Sequence, residues 1–134
     1  MHRQHVAIVT PIIAARLLSG EKTIESRLYR SRRPPFGIIS PGDTIYFRSV
    51  GGPIFARSIA RSVQQHIDLT PARVAAIRRT WSHQIAAHAG YWKAKRHCRF
   101  AVLIWLGRLR PASRHEVTAP RQFGSAWITI READ

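Results

Sequence analysis

Apolar residues recur along the chain in two periods, and the period changes wherever proline or glycine intervenes. Val6, Ala7, Ile8 and Val9 form a short apolar run within His5 to Thr10, which predicts a first strand. Thr10-Pro11 then offers a hydroxyl for a helix N-cap and a proline where its missing N–H costs little. Over Ile12 to Ser19, Ile13, Leu17 and Leu18 give a short core-facing stripe, and Gly20 suits a left-handed stop. A second strand is expected over about Lys22 to Arg27. There Thr23, Glu25 and Arg27 share one face, and Ile24 and Ser26 share the other. A hydroxyl, a carboxylate and a guanidinium have no simple role in an apolar core. That face meets water or lines a polar cleft, and we take the cleft.

The stretch from Leu28 to Ser40 reads as an irregular loop, because Pro34 and Pro35 cannot donate ladder hydrogen bonds. Pro41-Gly42-Asp43 turns the chain into a strand over Thr44 to Arg48. Gly51-Gly52-Pro53 returns it through a strand from Ile54 to about Val63, so the two form a hairpin. In the return strand Ala56, Ser58 and Ala60 form a small-residue face, while Arg57 and Arg61 reach toward solvent. Thr70-Pro71 repeats the helix-start signature. Val74, Ile77, Trp81, Ile85 and His88 follow at helical spacing, with Gly90 as the stop. Tyr91-Trp92 opens a basic loop or short helix. Phe100 to Leu106 is the best buried strand, Glu116-Val117-Thr118 a candidate edge strand, and Ala126 to Ile130 the last strand.

The resulting fold class is α+β: a small mixed or antiparallel β-barrel of about six strands with flanking helices. Its 134 residues suit one domain, with a core over about residues 4–130.

Charge changes this picture most. There are 22 Lys and Arg against 7 Asp and Glu, a formal charge of +15, which favours a polyanionic partner such as RNA or another nucleic acid. Apolar residues make up 45% of the chain, which excludes a disordered basic tail. The basic residues are mostly arginine, suited to planar recognition of phosphate, and the lysines are Lys22, Lys93 and Lys95. Cys98 is the only cysteine, so an internal disulfide and a multi-cysteine zinc site are excluded, and a cytoplasmic location is the default. Cys98 itself reads as core packing. No stretch reaches transmembrane length, so integral membrane association is not expected. The histidines form no standard metal motif, and no cofactor fingerprint occurs.

The candidate chemistry centres on Lys22, Thr23, Glu25 and Arg27. Glu25 could hold Lys22 or Arg27, or accept a base amino group. Lys22 and Arg27 could stabilise charge gathering on a phosphate, with Tyr29, Glu25 or a histidine moving the proton. A purely structural ion-pair network is the third reading. Around this cluster the expected binding surface comprises Tyr29, Arg30, Arg32, Arg33, Lys93, Lys95, Arg96 and Arg121, with Ser125 as a phosphate donor or a turn residue. Tyr91 or Trp92 could stack on an unpaired base, or Trp92 could cover the core. Trp81 and Trp105 are core candidates by their periodicity, and Trp127 falls on the face opposite Ala126, Ile128 and Ile130.

One combination resembles a known family. A strand and Pro-started helix lead to Gly20-Glu21-Lys22-Thr23-Ile24-Glu25-Ser26-Arg27. Pro41-Gly42-Asp43, a late Tyr91-Trp92 pair, the Phe100-to-Leu106 strand and Ser125-Ala126-Trp127 follow. Together they resemble the ASCH domains, relatives of the PUA domain, over about residues 4–130. The resemblance implies a small β-barrel with an associated cleft lined by Lys22, Thr23, Glu25 and Arg27, and nucleic-acid binding. Some relatives cleave RNA or hydrolyse acylated cytidine derivatives, so a modified nucleoside is a second possible ligand. In the acylcytidine-hydrolysing branch a threonine matches Glu25, and a glutamate comes from a helical segment nearer the middle. Arg73 to His88 contains no acidic residue, which argues against copying that mechanism. The expected function is therefore RNA binding through the cleft and the arginine-rich loops. A ribonuclease or acylated-nucleoside hydrolase using Lys22, Glu25 and Arg27, or a protein-interaction domain, are the alternatives.

Overall fold

The computed structural model describes residues 2–113, 115–117 and 126–130. β1 (Gln4–Val9) leads into α1 (Pro11–Leu18), and Gly20, at φ +82°, turns the chain toward β2 (Ile24–Tyr29). β3 (Thr44–Ser49) and β4 (Ile54–His66) form the expected antiparallel hairpin. Then come α2 (Pro71–Ile85), a single turn of helix α3 (Tyr91–Lys95), β5 (Phe100–Leu106), β6 (Arg110–Pro111) and β7 (Trp127–Ile130).

The two Thr-Pro signatures both start helices, but only one threonine caps. Thr70 accepts a hydrogen bond from the Arg73 amide at 3.2 Å, whereas Thr10 makes no side-chain cap bond. Thr70→Ala is therefore expected to cost about 1 kcal/mol and Thr10→Ala clearly less, as read from urea unfolding midpoints. α2 ends earlier than its apolar periodicity suggests. Ala86 takes a left-handed conformation at φ 47° and its amide bonds the Ser82 carbonyl, which places His88 beyond the helix.

The strands lie in the order β2-β5-β4-β3-β1-β7, with β6 added alongside β4. β1 and β3 are parallel, and the remaining pairs are antiparallel. Among the described residues the sheet has seven strands and does not close into a barrel, contrary to the sequence expectation. At the open seam a side chain stands where a ladder would be. Arg27 of β2 donates from Nη2 to the Ile8 carbonyl at 3.4 Å and from Nη1 to the Ala126 carbonyl at 3.3 Å. Closure would have to displace this guanidinium, paired with Glu25, from the backbone carbonyls that it holds.

β4 is long because it serves two neighbours. Its first half pairs with β3 and its second half with β5, and an irregularity between Ala60 and Ser62 marks the change. One core lies between the sheet and α1 and contains Leu17, Phe47, Val102, Ile104 and Trp127. A second packs Ile24, Leu28, Ala101 and Leu103 against Val74, Ile77 and Ile85 of α2. β5 contributes to both, which explains its continuous apolar run. Cys98 belongs to the second core, as do Trp81 and Trp105, whose rings meet edge to face at 5.0 Å. The proposed edge strand at Glu116-Val117-Thr118 does not form. Arg110–Pro111 takes a short edge pairing instead, Val117 packs beside Val6 and Ile128, and Thr118 lies outside the described residues.

Candidate functional site

The cleft opens between β2, the junction of β1 with α1, and the segment joining α2 to α3. Its volume is about 230 Å³, and Lys22, Glu25, Arg27, Tyr29, Tyr91 and Lys95 line it. Six side chains expected at the site thus converge. Thr23 does not: it precedes β2, is exposed, and its amide donates to the Gln84 carbonyl at 2.9 Å, which turns it away.

Lys22 is 4% exposed, and its Nζ donates to the Ile85 carbonyl at 2.6 Å. That carbonyl belongs to the C-terminal residue of α2. Arg16 meets the same end, donating to the Ala86 and Ala87 carbonyls at 3.0 and 2.8 Å. Two cations thus cap carbonyls that the helix leaves without partners. Burial lowers the pKa of Lys22, Glu25 opposes the shift, and Arg27 and Arg16 add to it.

Glu25, also 4% exposed, accepts from Arg27 Nε through Oε1 at 3.1 Å. Its other oxygen, Oε2, is buried with no hydrogen-bond partner among the described residues. Burial alone would lower the pKa of Arg27, but Glu25, with Tyr29 and Tyr91, outweighs it and holds the guanidinium charged. The Tyr91 hydroxyl is shared with Ser26 Oγ at 2.8 Å, which docks α3 on β2. Burial pushes the Tyr91 pKa well up, so this hydroxyl stays protonated.

Two cations rest on the Tyr29 ring, of which Lys95 lines the cleft and Arg33 does not. The Arg33 guanidinium lies 5.2 Å and Lys95 Nζ 5.8 Å from the Tyr29 ring centroid, and Lys95 also donates to the Leu28 carbonyl at 3.1 Å. Arg32 instead covers Phe36 and Phe100, outside the cleft. Arg30, Lys93 and Arg96 are exposed and do not line the cleft. Trp92 packs with the α2 core, so its covering role is the one realised. Arg121 and Ser125 lie outside the described residues.

Sequence reasoning missed a buried network behind the seam. His5 and Asp43 are 0% and 1% exposed, with His5 Nε2 and Asp43 Oδ2 2.8 Å apart. Trp127 Nε1–H donates to His5 Nδ1 at 3.2 Å, and the Thr129 hydroxyl lies 3.0 Å from the same nitrogen. An indole N–H can only donate, so Nδ1 is an acceptor and Nε2 carries the proton given to Asp43. Burial lowers the His5 pKa. Burial raises that of Asp43, but the bonds from His5 and from the Arg3 and Ser40 amides outweigh it and hold the carboxyl low. The Trp127 ring in turn lies 5.3 Å from the Arg27 guanidinium, so the network supports the cleft from behind. Among the described residues, no group of three His, Cys, Asp or Glu side chains could hold a metal ion, and no helix is long and apolar enough to cross a membrane.

This fold recurs in solved structures. The ASCH protein of Zymomonas mobilis superposes with a TM-score of 0.69 at 17% identity, covering 96% of this chain and 88% of that one. Two mutants of the same protein superpose at 0.69 and 0.68, covering 91% and 89% of their own lengths. The chain has the ASCH-domain fold. The family resemblance carried by Gly20 to Arg27 therefore holds at the level of architecture. No protein-family profile and no curated protein matches the sequence. Glu25 and Arg27 meet because β2 forms one bank of the seam, and Lys22 joins them from just before that strand.

Proposed function

We propose that this ASCH-fold chain binds RNA and takes one unpaired nucleobase into the cleft. The observation that carries this reading is Glu25 Oε2, a buried carboxylate oxygen without a partner in the wall of a small open cleft. Such an oxygen costs about 1–3 kcal/mol until a donor reaches it, and the exocyclic amino group of a base is such a donor. Lys22 offers its remaining ammonium hydrogens to a ring nitrogen or carbonyl. Exposed His88, edge to face with Tyr91 at 5.6 Å, supplies a stacking surface beside the same wall. Arg33 and Lys95, held on Tyr29, are placed for the flanking phosphates.

Recognition fits this arrangement better than turnover. Lys22 is tied to a backbone carbonyl and Arg27 bridges the seam, so both hold the site's shape. The Tyr91 hydroxyl is committed to Ser26 and does not act as a base near neutral pH. The test is a titration of the intact protein with a short unstructured RNA across a salt series, with the RNA analysed by mass spectrometry afterwards. Saturable binding that weakens steeply with salt, with the RNA intact, is expected; a slope of about −0.7 per phosphate contact applies to single strands. No binding at low salt would overturn the reading, and cleaved RNA would replace recognition with catalysis.

A further inference from the structure

We propose that the outer face of β4 and β6 is a second nucleic-acid surface, distinct from the cleft, which grips the phosphate backbone of a duplex. Alternate residues Arg57, Ile59 and Arg61 of β4 point outward, and all three are exposed. Arg110 of β6 sits directly across from Arg57. Beside Ile59, the Gly107 amide donates to the Ile59 carbonyl at 2.8 Å. Arg61 lies over Gly107, since a Cβ placed there would sit 3.5 Å from Arg61 Nε. Exposed Arg108 follows immediately. Arg57, Arg61 and Arg110 therefore flank a low floor made of Ile59 and a glycine without a side chain, and Arg108 is a fourth arginine next to that glycine in the chain. None of them lines the cleft.

Left alone, this arrangement is electrostatically unfavourable. Like charges directly across a strand pair repel. The nearest carboxylate is Glu116, 3.5 Å from Arg57, and it can offset only one of the four. The other acidic side chains among the described residues are engaged elsewhere: Glu21 with Arg16, Glu25 with Arg27, Asp43 with His5 and Asp68 with Arg99. Arg61, Arg108 and Arg110 have no ion-pair partner among the described residues, which leaves their charge open to an external polyanion. Arg57 and Arg61 are four residues apart on a strand, about 13 Å, the rise of roughly four stacked nucleotides. Guanidinium forks on a floor too shallow to enclose a base match phosphates, whose contacts position a duplex without reading its sequence.

The test is the triple variant Arg61→Gln, Arg108→Gln, Arg110→Gln, with Arg57 kept to satisfy Glu116. Its binding to a short blunt-ended RNA duplex is measured over a salt series, beside that of the unaltered protein. The slope of log affinity against log salt should become shallower by about 2–3. Binding of a single-stranded trinucleotide and the thermal midpoint should be unchanged. An unaltered duplex slope would overturn the proposal. So would tighter binding to phosphatidylserine vesicles than to the duplex, lost in the same variant, which would make this a membrane-facing surface. Lys22→Met separates the two sites: if it leaves trinucleotide binding intact, the cleft reading fails while this one stands.

Discussion

Asp43→Ala should destabilise the fold by about 3–5 kcal/mol, the loss usual when one member of a buried charged hydrogen-bonded network is removed. Asp43 accepts from His5 Nε2 at 2.8 Å, from the Arg3 amide at 2.9 Å and from the Ser40 amide at 3.0 Å. Alanine leaves all of these donors without an acceptor, His5 deep inside the protein and the amides at the rim. It also unties the β1 entry from the turn before β3, and β1 with β3 is the one parallel pairing among the described residues. Asp43→Asn retains one acceptor oxygen and should lose distinctly less. Guanidinium unfolding would show the difference as a shift of midpoint at constant slope. Equal stability of the alanine variant and the unaltered protein would dismiss the network as incidental.

The same groups set a pH dependence with a definite direction. The folded-state pKa values of His5 and Asp43 both lie below their ordinary values of 6.5 and 3.8. In each case the unfolded chain takes up a proton before the folded one does, so acidification favours unfolding. The stability associated with neutral His5 is complete above about pH 6.5 and is lost as pH falls through its lowered folded value. That associated with Asp43 begins to fade only below about pH 4 and goes as its carboxyl titrates in the fold. His66, lowered by burial, adds to the first interval. His5→Gln keeps a donor for Asp43 but cannot titrate. Its stability should therefore decline less between pH 6.5 and pH 4 than that of the unaltered protein, as followed by thermal midpoints across the pH range.

What sequence alone conveys here follows the range of the interactions. Thr10-Pro11, Gly20 and Thr70-Pro71 punctuate the chain within a few residues of themselves, and both major helices start where these signals stand. Phe100 to Leu106 is legible because a strand buried on both faces needs no alternation. Strand alternation extended one residue before Ile24 puts Thr23 on the polar face, but β2 begins only at Ile24. The Thr23 backbone is engaged by Gln84, which no local pattern reveals. His5 and Asp43 are 38 positions apart, and His5 and Thr129 are 124 apart, so their partnership depends on strand order. That order is opaque from the sequence, because β1 pairs in parallel with β3 while β2, between them in the chain, lies at the far end of the sheet. The open seam escaped for a related reason: a guanidinium bridging to backbone carbonyls leaves no hydrophobic signature.

Glu25→Gln should reverse the cleft's preference between bases. In the unaltered protein Oε1 is committed to Arg27 Nε and Oε2 has no partner, so on the proposed reading Oε2 accepts from the ligand. A glutamine there keeps its carbonyl oxygen on Arg27, because a guanidinium only donates. That orientation puts the amide NH2 where Oε2 had been. An amino-bearing base such as cytosine then meets a donor instead of an acceptor, while uracil presents a carbonyl that the NH2 can reach. The unaltered protein should favour a cytidine-centred trinucleotide over its uridine counterpart, and the variant should lose or invert that ratio. The change is about 1–3 kcal/mol, or roughly 5- to 150-fold, as for one well-formed base-edge contact. Stability should fall, because the amide keeps the Arg27 bond but removes the charge that offsets the buried Arg27 and Lys22, so the ratios are compared below the variant's thermal midpoint. Competition titrations of both ligands against both proteins decide the matter. An unchanged ratio would mean that Glu25 serves Arg27 alone and that Oε2 never meets a base.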